Sequence, residues 1–408
     1  MRVLFLNYTF PGPFLQLAAA FGRMEDTTVL FAAEYGRRDF SLPGVQRVVL
    51  SRPRERNQKD KSLLSEQDRL EWDMSMAFQR GRMTASSFSK LREKGFVPDI
   101  VISSATMGNS LFLRAVFPEA FWVAYGDWYF ARGKSPATPG KASLPRNLSM
   151  WWRNNLQIRT LCESDWMITS TKWQRKQYPP AIAENLHILP LCLDTEFFSP
   201  APHEGFCFSD CDLSHVRELV TIAANGTPPS AFFRSLPLLL ERRGACHVAI
   251  LAGTDSSATG MLLKEECIGP ELAQRIHVLA FLPDDAYRAL LRASSLYVSL
   301  PGSGMLSSGL WEAMSCGCLV LTEDTEAARE VVRDGKEGIL RTLEKPSVLA
   351  DTMAELLECA PDLGNIRAAA REKMLRQYSV RNTIKESISR LLRRYAQWRE
   401  AFGGREIA

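Results

Sequence analysis

The order of apolar and polar segments along the chain predicts an α/β fold. Short apolar runs typical of buried parallel strands, such as residues 3–6, alternate with segments of helical spacing, such as residues 14–21. Further strands are predicted at 28–32, 46–50, 98–104, 121–125, 166–169, 186–189, 219–223, 247–252, 275–280, 296–300, 319–322 and 338–340. Further helices are predicted at 70–91, 111–117, 146–164, 173–178, 232–242, 284–292, 307–315 and 326–333. Two successive runs of this alternation indicate two doubly wound parallel sheets.

A change of composition at residues 199–205 marks the predicted linker between two domains. We therefore expect one domain over residues 1–199, a second over 200–375 and a C-terminal helix over 376–408. The tail from 366 to 402 has helical character. Its apolar positions step by four and three residues, at Ile384, Ile388, Leu391, Tyr395, Trp398 and Phe402.

Composition narrows the class of protein. The 408 residues are 46% hydrophobic and 24% charged, which excludes a disordered, collagen-like or coiled-coil chain. The net charge of +4 is too small to indicate a nucleic-acid partner. No run of 18 apolar residues predicts a membrane span, and Pro11 interrupts what could imitate a signal peptide. Nine cysteines without a C-x-x-C spacing favour reduced thiols and a cytoplasmic location.

The fold class predicts where a ligand binds. Open parallel sheets bind ligands beyond the carboxyl ends of their strands, so two such domains suggest a site between them. The helix N-termini there suit anionic ligands, phosphates above all. The loops concerned are 7–13, 103–109, 126–145, 223–231, 253–260 and 301–309.

The loop at 300–309 is rich in glycine and serine and leads into a helix that contains Glu312. Glycine lets a backbone approach a diphosphate closely. A carboxylate one turn into the helix can accept hydrogen bonds from two sugar hydroxyls. Composition alone favours a plainer alternative, a tight turn with Ser307 as N-cap and Glu312 on a solvated face.

Several motifs together resemble family 4 retaining glycosyltransferases. In the C-terminal half these are E-A-M-S-C-G at 312–317, R-E-V-V at 329–332 and D-G-K-E-G-I-L at 334–340. In the N-terminal half they are F-P-G at 10–12, P-D-I-V-I at 98–102, F-L-R-A-V-F-P at 112–118, T-K-W-Q-R at 171–175 and L-D-T-E-F-F at 193–198. The resemblance implies the GT-B fold: two Rossmann-like domains facing a cleft, with a C-terminal helix that crosses back.

The same resemblance implies an activity. Such an enzyme transfers a sugar from a nucleotide-diphosphate donor to a glycan or protein acceptor, with retention of configuration and without metal or other cofactor. By motif, Glu312 would bind the donor ribose, and Ser308 and Gly309 would offer N–H groups to the diphosphate. Gly12 would face the same phosphates. Gly304, Ser307 and Arg234 complete the candidate donor set.

Three features depart from the family pattern. An acidic residue expected eight positions before Glu312 is Gly304, and a His expected after the strand at 98–102 is Ser104. The Arg and Lys expected after the strand at 219–223 are represented by Arg234 alone, with Arg132, Lys134 and Lys141 as possible replacements from another loop. Two alternatives stay open: a non-catalytic GT-B protein that binds a partner transferase or an acceptor, and a GT-B epimerase.

Asp127, which follows the strand at 121–125, is the second catalytic candidate beside Ser104. It could orient an acceptor hydroxyl or serve as a base, and the alternative is a helix or turn cap. The adjacent Trp128, Tyr129 and Phe130 could stack on a sugar or base, although core packing is more common.

Two further patterns concern metal binding and contact with lipid. His203, Cys207, Cys211 and His215 recur every four residues, but they lie in a predicted hairpin whose alternation would not converge on one ion, so no metal site is expected. The basic C-terminal helix could contact anionic lipid at the inner face of the membrane, and the alternative is the solvated face of a packed helix.

Overall fold

A computed structural model describes residues 1–36, 40–53, 65–130, 144–201, 205–223, 230–253, 268–280, 282–300 and 306–402. The chain forms two compact units, Met1–Cys192 with Thr383–Ala408, and Leu193–Asn382. The chain therefore first passes between the units at residues 192–193, seven residues before the predicted linker begins. It returns inside its last helix.

The first unit is built on a parallel seven-stranded sheet of order β3-β2-β1-β4-β5-β6-β7. The strands are β1 (Arg2–Phe10), β2 (Thr28–Gly36), β3 (Val45–Val49), β4 (Ile100–Ser104), β5 (Phe121–Tyr125), β6 (Trp166–Thr169) and β7 (Leu186–Ile188). The central residues of β1, β2, β4 and β5 are mostly apolar and are buried on both faces, as expected of parallel strands covered by helices, whereas the edge strand β3 is partly exposed. The strand order reverses between β1 and β4, which is where this topology opens a crevice.

Helices cover both faces of this sheet. They are α1 (Leu15–Gly22), α2 (Glu66–Glu93), α3 (Leu113–Val116), α4 (Leu144–Glu163), α5 (Lys172–Gln177) and α6 (Pro180–Ala183), with a 3₁₀ turn at Gly12–Phe14. Ser65 caps α2, because its hydroxyl accepts a hydrogen bond of 3.1 Å from the N–H of Asp68.

The second unit carries a parallel six-stranded sheet of order β12-β11-β10-β13-β14-β15 and a small antiparallel hairpin. The hairpin, predicted from the sequence, is β8 (Cys207–Phe208) with β9 (Cys211–Asp212). The sheet strands are β10 (Glu218–Ala223), β11 (Cys246–Gly253), β12 (Ile276–Ala280), β13 (Leu296–Ser299), β14 (Leu319–Glu323) and β15 (Ile339–Arg341). The order reverses between β10 and β13.

The second unit's helices follow the same α/β alternation. They are α7 (Ser230–Arg242), α8 (Pro270–Ala273), α9 (Asp284–Ala293), α10 (Ser308–Cys316), α11 (Glu326–Val331), α12 (Pro346–Cys359) and α13 (Gly364–Gln377). The predicted continuous tail helix is in fact two helices. It breaks at residues 378–379, where Leu193 donates a 2.7 Å hydrogen bond to the carbonyl of Tyr378 and accepts one of 2.8 Å from Val380.

The last helix, α14 (Val380–Phe402), lies against the first unit's sheet. Leu391 is fully buried, and Ile384, Ile388, Tyr395 and Trp398 pack around the same core. These are five of the six residues of the predicted apolar stripe. The fold is therefore the predicted α/β class, with two Rossmann-like parallel-sheet domains and a C-terminal helix that returns to the first. No described helix has the length and apolar character needed to cross a lipid bilayer.

Candidate functional site

A cavity of about 340 Å³ opens in the first unit at the carboxyl ends of β1, β4 and β5. Tyr8 from β1 and Thr106 and Met107 from the loop after β4 line it, together with the loop after β5 and one side each of α2 and α4. The indole N–H groups of Trp128 and Trp152, both in the wall, are buried and have no acceptor within the described structure. The cavity thus lies where the strand order predicts a ligand, and two hydrogen-bond donors buried in its wall have no partner among the described residues.

Asp127 supplies the cavity's unpartnered carboxylate. None of the described residues donates a hydrogen bond to it, and it caps no described helix, so the alternative of a structural cap is not supported. Burial raises the pKa of Asp127 to about 6. The carboxyl group is therefore mostly ionised at neutral pH, and a ligand hydroxyl could donate a hydrogen bond to it.

Main-chain contacts hold the Asp127 loop in place. The side-chain amide of Gln174 donates a 2.8 Å hydrogen bond to the carbonyl of Asp127. The side chain of Asn154 both accepts from the N–H of Phe130, at 2.9 Å, and donates to its carbonyl, at 3.0 Å. Side chains of α4 and α5 thus hold the main chain of the loop that carries Asp127.

The three aromatic residues after Asp127 divide between cavity and core. Trp128 and Phe130 line the cavity, and their ring centroids are 6.0 Å apart. Tyr129 packs on Tyr178 instead, at 5.2 Å between centroids, in a core cluster. Stacking on a sugar ring therefore stays a prediction for Trp128 and Phe130, whereas Tyr129 has a core role.

Arg80, a charged residue of the cavity wall that the sequence analysis did not single out, pairs with a buried carboxylate behind the wall. Glu34, buried in β2, accepts hydrogen bonds from Arg80 Nε at 3.3 Å and from Asn109 Nδ2 at 2.7 Å. Arg80 lines the cavity, and its guanidinium lies 5.2 Å from the centre of the Tyr8 ring. In the sequence, Glu34 itself could have indicated this ion pair, because a carboxylate inside a buried strand needs a partner.

The structure separates the two catalytic candidates. Ser104 is buried at the end of β4, and its hydroxyl lies 2.8 Å from Thr106 Oγ1. Thr106 and not Ser104 lines the cavity with Asp127. Gly12 is exposed at the start of the 3₁₀ turn with φ +53°, and a Cβ there would collide with the side-chain amide of Asn7.

In the second unit, α10 begins directly after the loop that leaves β13. Ser307 is its N-cap residue, but its side chain makes no capping hydrogen bond. The first N–H groups of a helix have no partner within the helix, so those of Ser308 and Gly309 are suited to an anion.

Glu312 lies one turn into α10 and is held by neighbours. Tyr287 of α9 donates a 2.9 Å hydrogen bond to Glu312 Oε2. Burial raises the pKa of Glu312, while hydrogen bonds from Tyr287 and Ser308 act in the opposite direction. Glu312 is thus a positioned carboxylate and does not lie on a freely solvated face, as the plainer alternative held.

The other residues predicted to contact a nucleotide-sugar donor are packed, exposed or outside the described residues. Gly309 is buried, and a Cβ there would collide with the hydroxyl of Tyr297 and lie 3.1 Å from that of Tyr287. Close packing therefore also requires glycine at this position. Arg234 lies on the exposed side of α7. Gly304, Arg132, Lys134 and Lys141 lie outside the described residues.

The four-residue repeat of His and Cys forms no centre in the part of the chain that can be described. Cys207 lies opposite Asp212 in the hairpin, Cys211 lies opposite Phe208, and His203 is outside the described residues. Among the described residues, no group of three His, Cys, Asp or Glu side chains could hold a metal ion.

Two family models match the chain. The model described as the glycosyl transferase family 4 group matches residues 25–198, and that described as glycosyl transferases group 1 matches residues 232–373. No curated protein sequence matches.

Solved structures share the fold at low identity. Anabaena Alr3699/HepE, in complex with UDP-glucose, is 15% identical with a TM-score of 0.67, covering 96% of this chain and 99% of its own. Sucrose-phosphate synthase from Thermosynechococcus elongatus is 12% identical with a TM-score of 0.69, covering 98% and 100%. A glycosyltransferase from Rickettsia africae is 10% identical with a TM-score of 0.58, covering 97% and 98%. With a glycosyltransferase model matching each half of the chain and this fold throughout, the chain is a glycosyltransferase of the GT-B fold.

Proposed function

We propose that the protein transfers a glycosyl group from a nucleotide-diphosphate sugar to a hydroxyl group of a glycan or protein, with retention of configuration and without metal. The bond from the anomeric carbon to the diphosphate oxygen breaks, and its electron pair leaves with the nucleoside diphosphate. The anomeric carbon forms a new bond to the acceptor oxygen, and the proton of that hydroxyl passes to the diphosphate oxygen that leaves. The observation that carries the proposal is Glu312, fixed by Tyr287 one turn into the helix that follows β13.

The donor would bind at the start of α10. Glu312 accepts hydrogen bonds from the ribose hydroxyls, and the N–H groups of Ser308 and Gly309 bind the diphosphate. The positive end of the helix dipole stabilises the negative charge of the diphosphate at that position, so the proposed reaction needs no metal ion. Ser307, Gly304, Arg234 and Gly12 remain proposed donor contacts, and UDP-glucose in the complex of Anabaena Alr3699/HepE supports a donor of this class.

The acceptor would bind in the cavity of the first unit. Asp127 accepts a hydrogen bond from the reacting hydroxyl or from one beside it, and Trp128 and Phe130 offer ring faces to a sugar. The Asp127 carboxylate supports this assignment, because it lines the cavity and receives no hydrogen bond from the described part of the chain. We propose only a supporting role for Ser104, because its hydroxyl forms a hydrogen bond with the hydroxyl of Thr106.

A panel of nucleotide sugars tests the proposal. The wild-type protein should show a thermal shift with at least one nucleoside diphosphate, and it should hydrolyse or transfer the sugar of the matching donor. Glu312→Ala should lose the shift, whereas Glu355→Ala, an exposed change on α12, should retain it. No response across the panel would favour the non-catalytic binding protein. Conversion of the donor sugar without an acceptor would favour the epimerase.

We also propose a cytoplasmic location with peripheral membrane contact through the basic side of α14. The apolar face of α14 is packed against the sheet, so any contact would be electrostatic, through exposed residues such as Arg393 and Arg394. Sedimentation with anionic vesicles should then weaken in the double variant Arg393→Glu/Arg394→Glu. Equal sedimentation of both proteins would count against this contact.

A further inference from the structure

A second cavity, of about 270 Å³, lies in the second unit between α13 and the turn that joins α11 to β15. Its wall is strongly charged, with six such side chains from these two segments: Arg333, Lys336, Glu337, Glu372, Lys373 and Arg376. The two at 372 and 373 stand four and three positions before the one at 376, which places all three on one face of α13. Four cations and two carboxylates leave the described wall with two surplus positive charges. None of these residues belongs to α10 or to the loop before it.

Two of the charged side chains are buried, since that of Lys373 is 8% exposed and that of Glu337 is 2% exposed. Arg333 already binds both oxygens of Glu337: its main-chain N–H donates to Oε2 at 2.8 Å, and its Nε donates to Oε1 at 2.9 Å. Lys373 Nζ lies 4.0 Å from Glu337 Oε2, beyond hydrogen-bond distance, and donates instead to the carbonyl of Val331. One buried carboxylate therefore serves two cations, so the charge of Lys373 is only partly compensated.

The other two cations of the wall are exposed. Neither Lys336 nor Arg376 forms an ion pair with any residue that the structure describes. Glu372 stands one turn before Arg376 on α13, but the two side chains do not pair within that part of the chain. Both cationic side chains are thus available to a ligand in the cavity. Arginine and lysine are the side chains that proteins use most to bind phosphate oxygens.

We propose that this cavity binds a phosphate group, carried either by a soluble phosphate ester or by a lipid headgroup. Lys336 and Arg376 donate hydrogen bonds to the phosphate oxygens, and Lys373 adds the N–H donors that Val331 does not use. A phosphate ester carries about two negative charges at neutral pH, which matches the surplus positive charge of the wall. The site shares no residue with the proposed donor site, so the proposal does not depend on glycosyl transfer.

Titration calorimetry of the whole protein with glycerol 3-phosphate tests a soluble source of the phosphate group. The double variant Lys336→Ala/Arg376→Ala should weaken this binding at least about tenfold, because hydrogen bonds from two cations to a charged group are lost. Arg217→Ala/Lys345→Ala is the matched control, since it removes one arginine and one lysine at exposed positions of the second unit outside the cavity wall. The control should bind the ester as tightly as the wild type.

Sedimentation with phosphatidylcholine vesicles that contain phosphatidic acid tests a lipid source. These experiments use chains that carry Arg393→Glu/Arg394→Glu, which removes the proposed contact of α14 with lipid. Binding of glycerol 3-phosphate that depends on the two cations of the wall would assign a soluble ester. Binding of the vesicles alone, with the same dependence, would assign a lipid headgroup.

Three results would overturn the proposal. They are no binding of either probe at millimolar concentration of phosphate groups, binding that Lys336→Ala/Arg376→Ala leaves intact, and binding that the control variant weakens equally. The first would show that the cavity takes no phosphate group, and the other two would show that phosphate binds elsewhere or without specificity. UDP and GDP titrations of the same preparations separate this test from the proposed function, because the double variant should keep the nucleotide affinity and the Tm of the wild type. Absent nucleotide binding speaks against glycosyl transfer and leaves the phosphate test valid.

Discussion

Asp127 illustrates how position and environment together make a side chain chemically useful. Its place after β5 follows from the alternation of strand and helix, because carboxyl ends of parallel strands meet at one edge. Gln174 binds the Asp127 main chain, and none of the residues that the structure describes donates a hydrogen bond to the carboxylate. A buried carboxylate without donors keeps its proton to a higher pH than one in water.

The raised pKa of Asp127 predicts a pH dependence of stability. Below about pH 4 the residue is protonated in both the folded and the unfolded chain. As the pH rises toward 6, Asp127 loses its proton in the unfolded chain before it does so in the folded one. The free energy of unfolding therefore falls, by roughly 3 kcal/mol once the pH is above 6. Asp127→Asn should therefore raise the Tm relative to wild type above pH 6 and not at pH 4. A Tm difference that does not change with pH would refute this, and Asp362→Asn, at an exposed position, is the control.

Glu312 predicts the effect of single changes on nucleotide affinity. Glu312→Ala should weaken UDP or GDP binding by about 1–3 kcal/mol, the range for hydrogen bonds to a charged group. Tyr287→Phe keeps the carboxylate but removes the 2.9 Å bond that positions it, so the loss should be smaller, about 0.5–1.5 kcal/mol. Titration calorimetry measures both, and an unchanged affinity in Glu312→Ala would remove the ribose assignment.

At the scale of elements, the start of α10 is packed against two tyrosine hydroxyls. Gly309→Ala places a methyl group against the hydroxyl of Tyr297, and we expect about 1–3 kcal/mol of destabilisation from overpacking. The double variant Gly309→Ala/Tyr297→Phe removes that hydroxyl and should recover part of the loss in thermal unfolding. If the second change restores nothing, close packing does not explain glycine at this position.

The helix α14 stabilises the first unit through its buried stripe. Leu391→Ala should cost about 2–5 kcal/mol, because Leu391 is fully buried between the helix and the sheet. Leu375→Ala, at a 41% exposed position on α13, should change stability by less than about 0.5 kcal/mol. Urea unfolding followed by tryptophan fluorescence compares the two, and similar midpoints for both variants would contradict this role of α14.

At the scale of the whole molecule, the local pattern of apolar residues predicted the strands of both sheets. It did not predict where the chain passes from one unit to the other. Buried parallel strands are continuous apolar runs, which the sequence shows directly. The passage between units at residues 192–193 depends instead on the hydrogen bonds of Leu193 to residues 378 and 380, far along the chain. The helix α12 was not predicted, although its buried Leu349, Met353 and Leu357 repeat every four residues.

The candidate site could be predicted only in part, for the same reason. The family motif pointed to Glu312, and the position directly after a predicted strand pointed to Asp127. The partners that position the charged side chains come from distant segments: Tyr287 for Glu312, and Glu34 of β2 for Arg80 in the cavity wall. Side-chain partners of this kind depend on tertiary packing, which periodicity does not encode.

A crystal structure with a bound nucleoside diphosphate tests the central claim most directly. We predict density for the diphosphate against the N–H groups of Ser308 and Gly309, with the ribose hydroxyls on Glu312. Density for the nucleotide elsewhere on the protein, or none at saturating concentrations of UDP and GDP, would contradict the account.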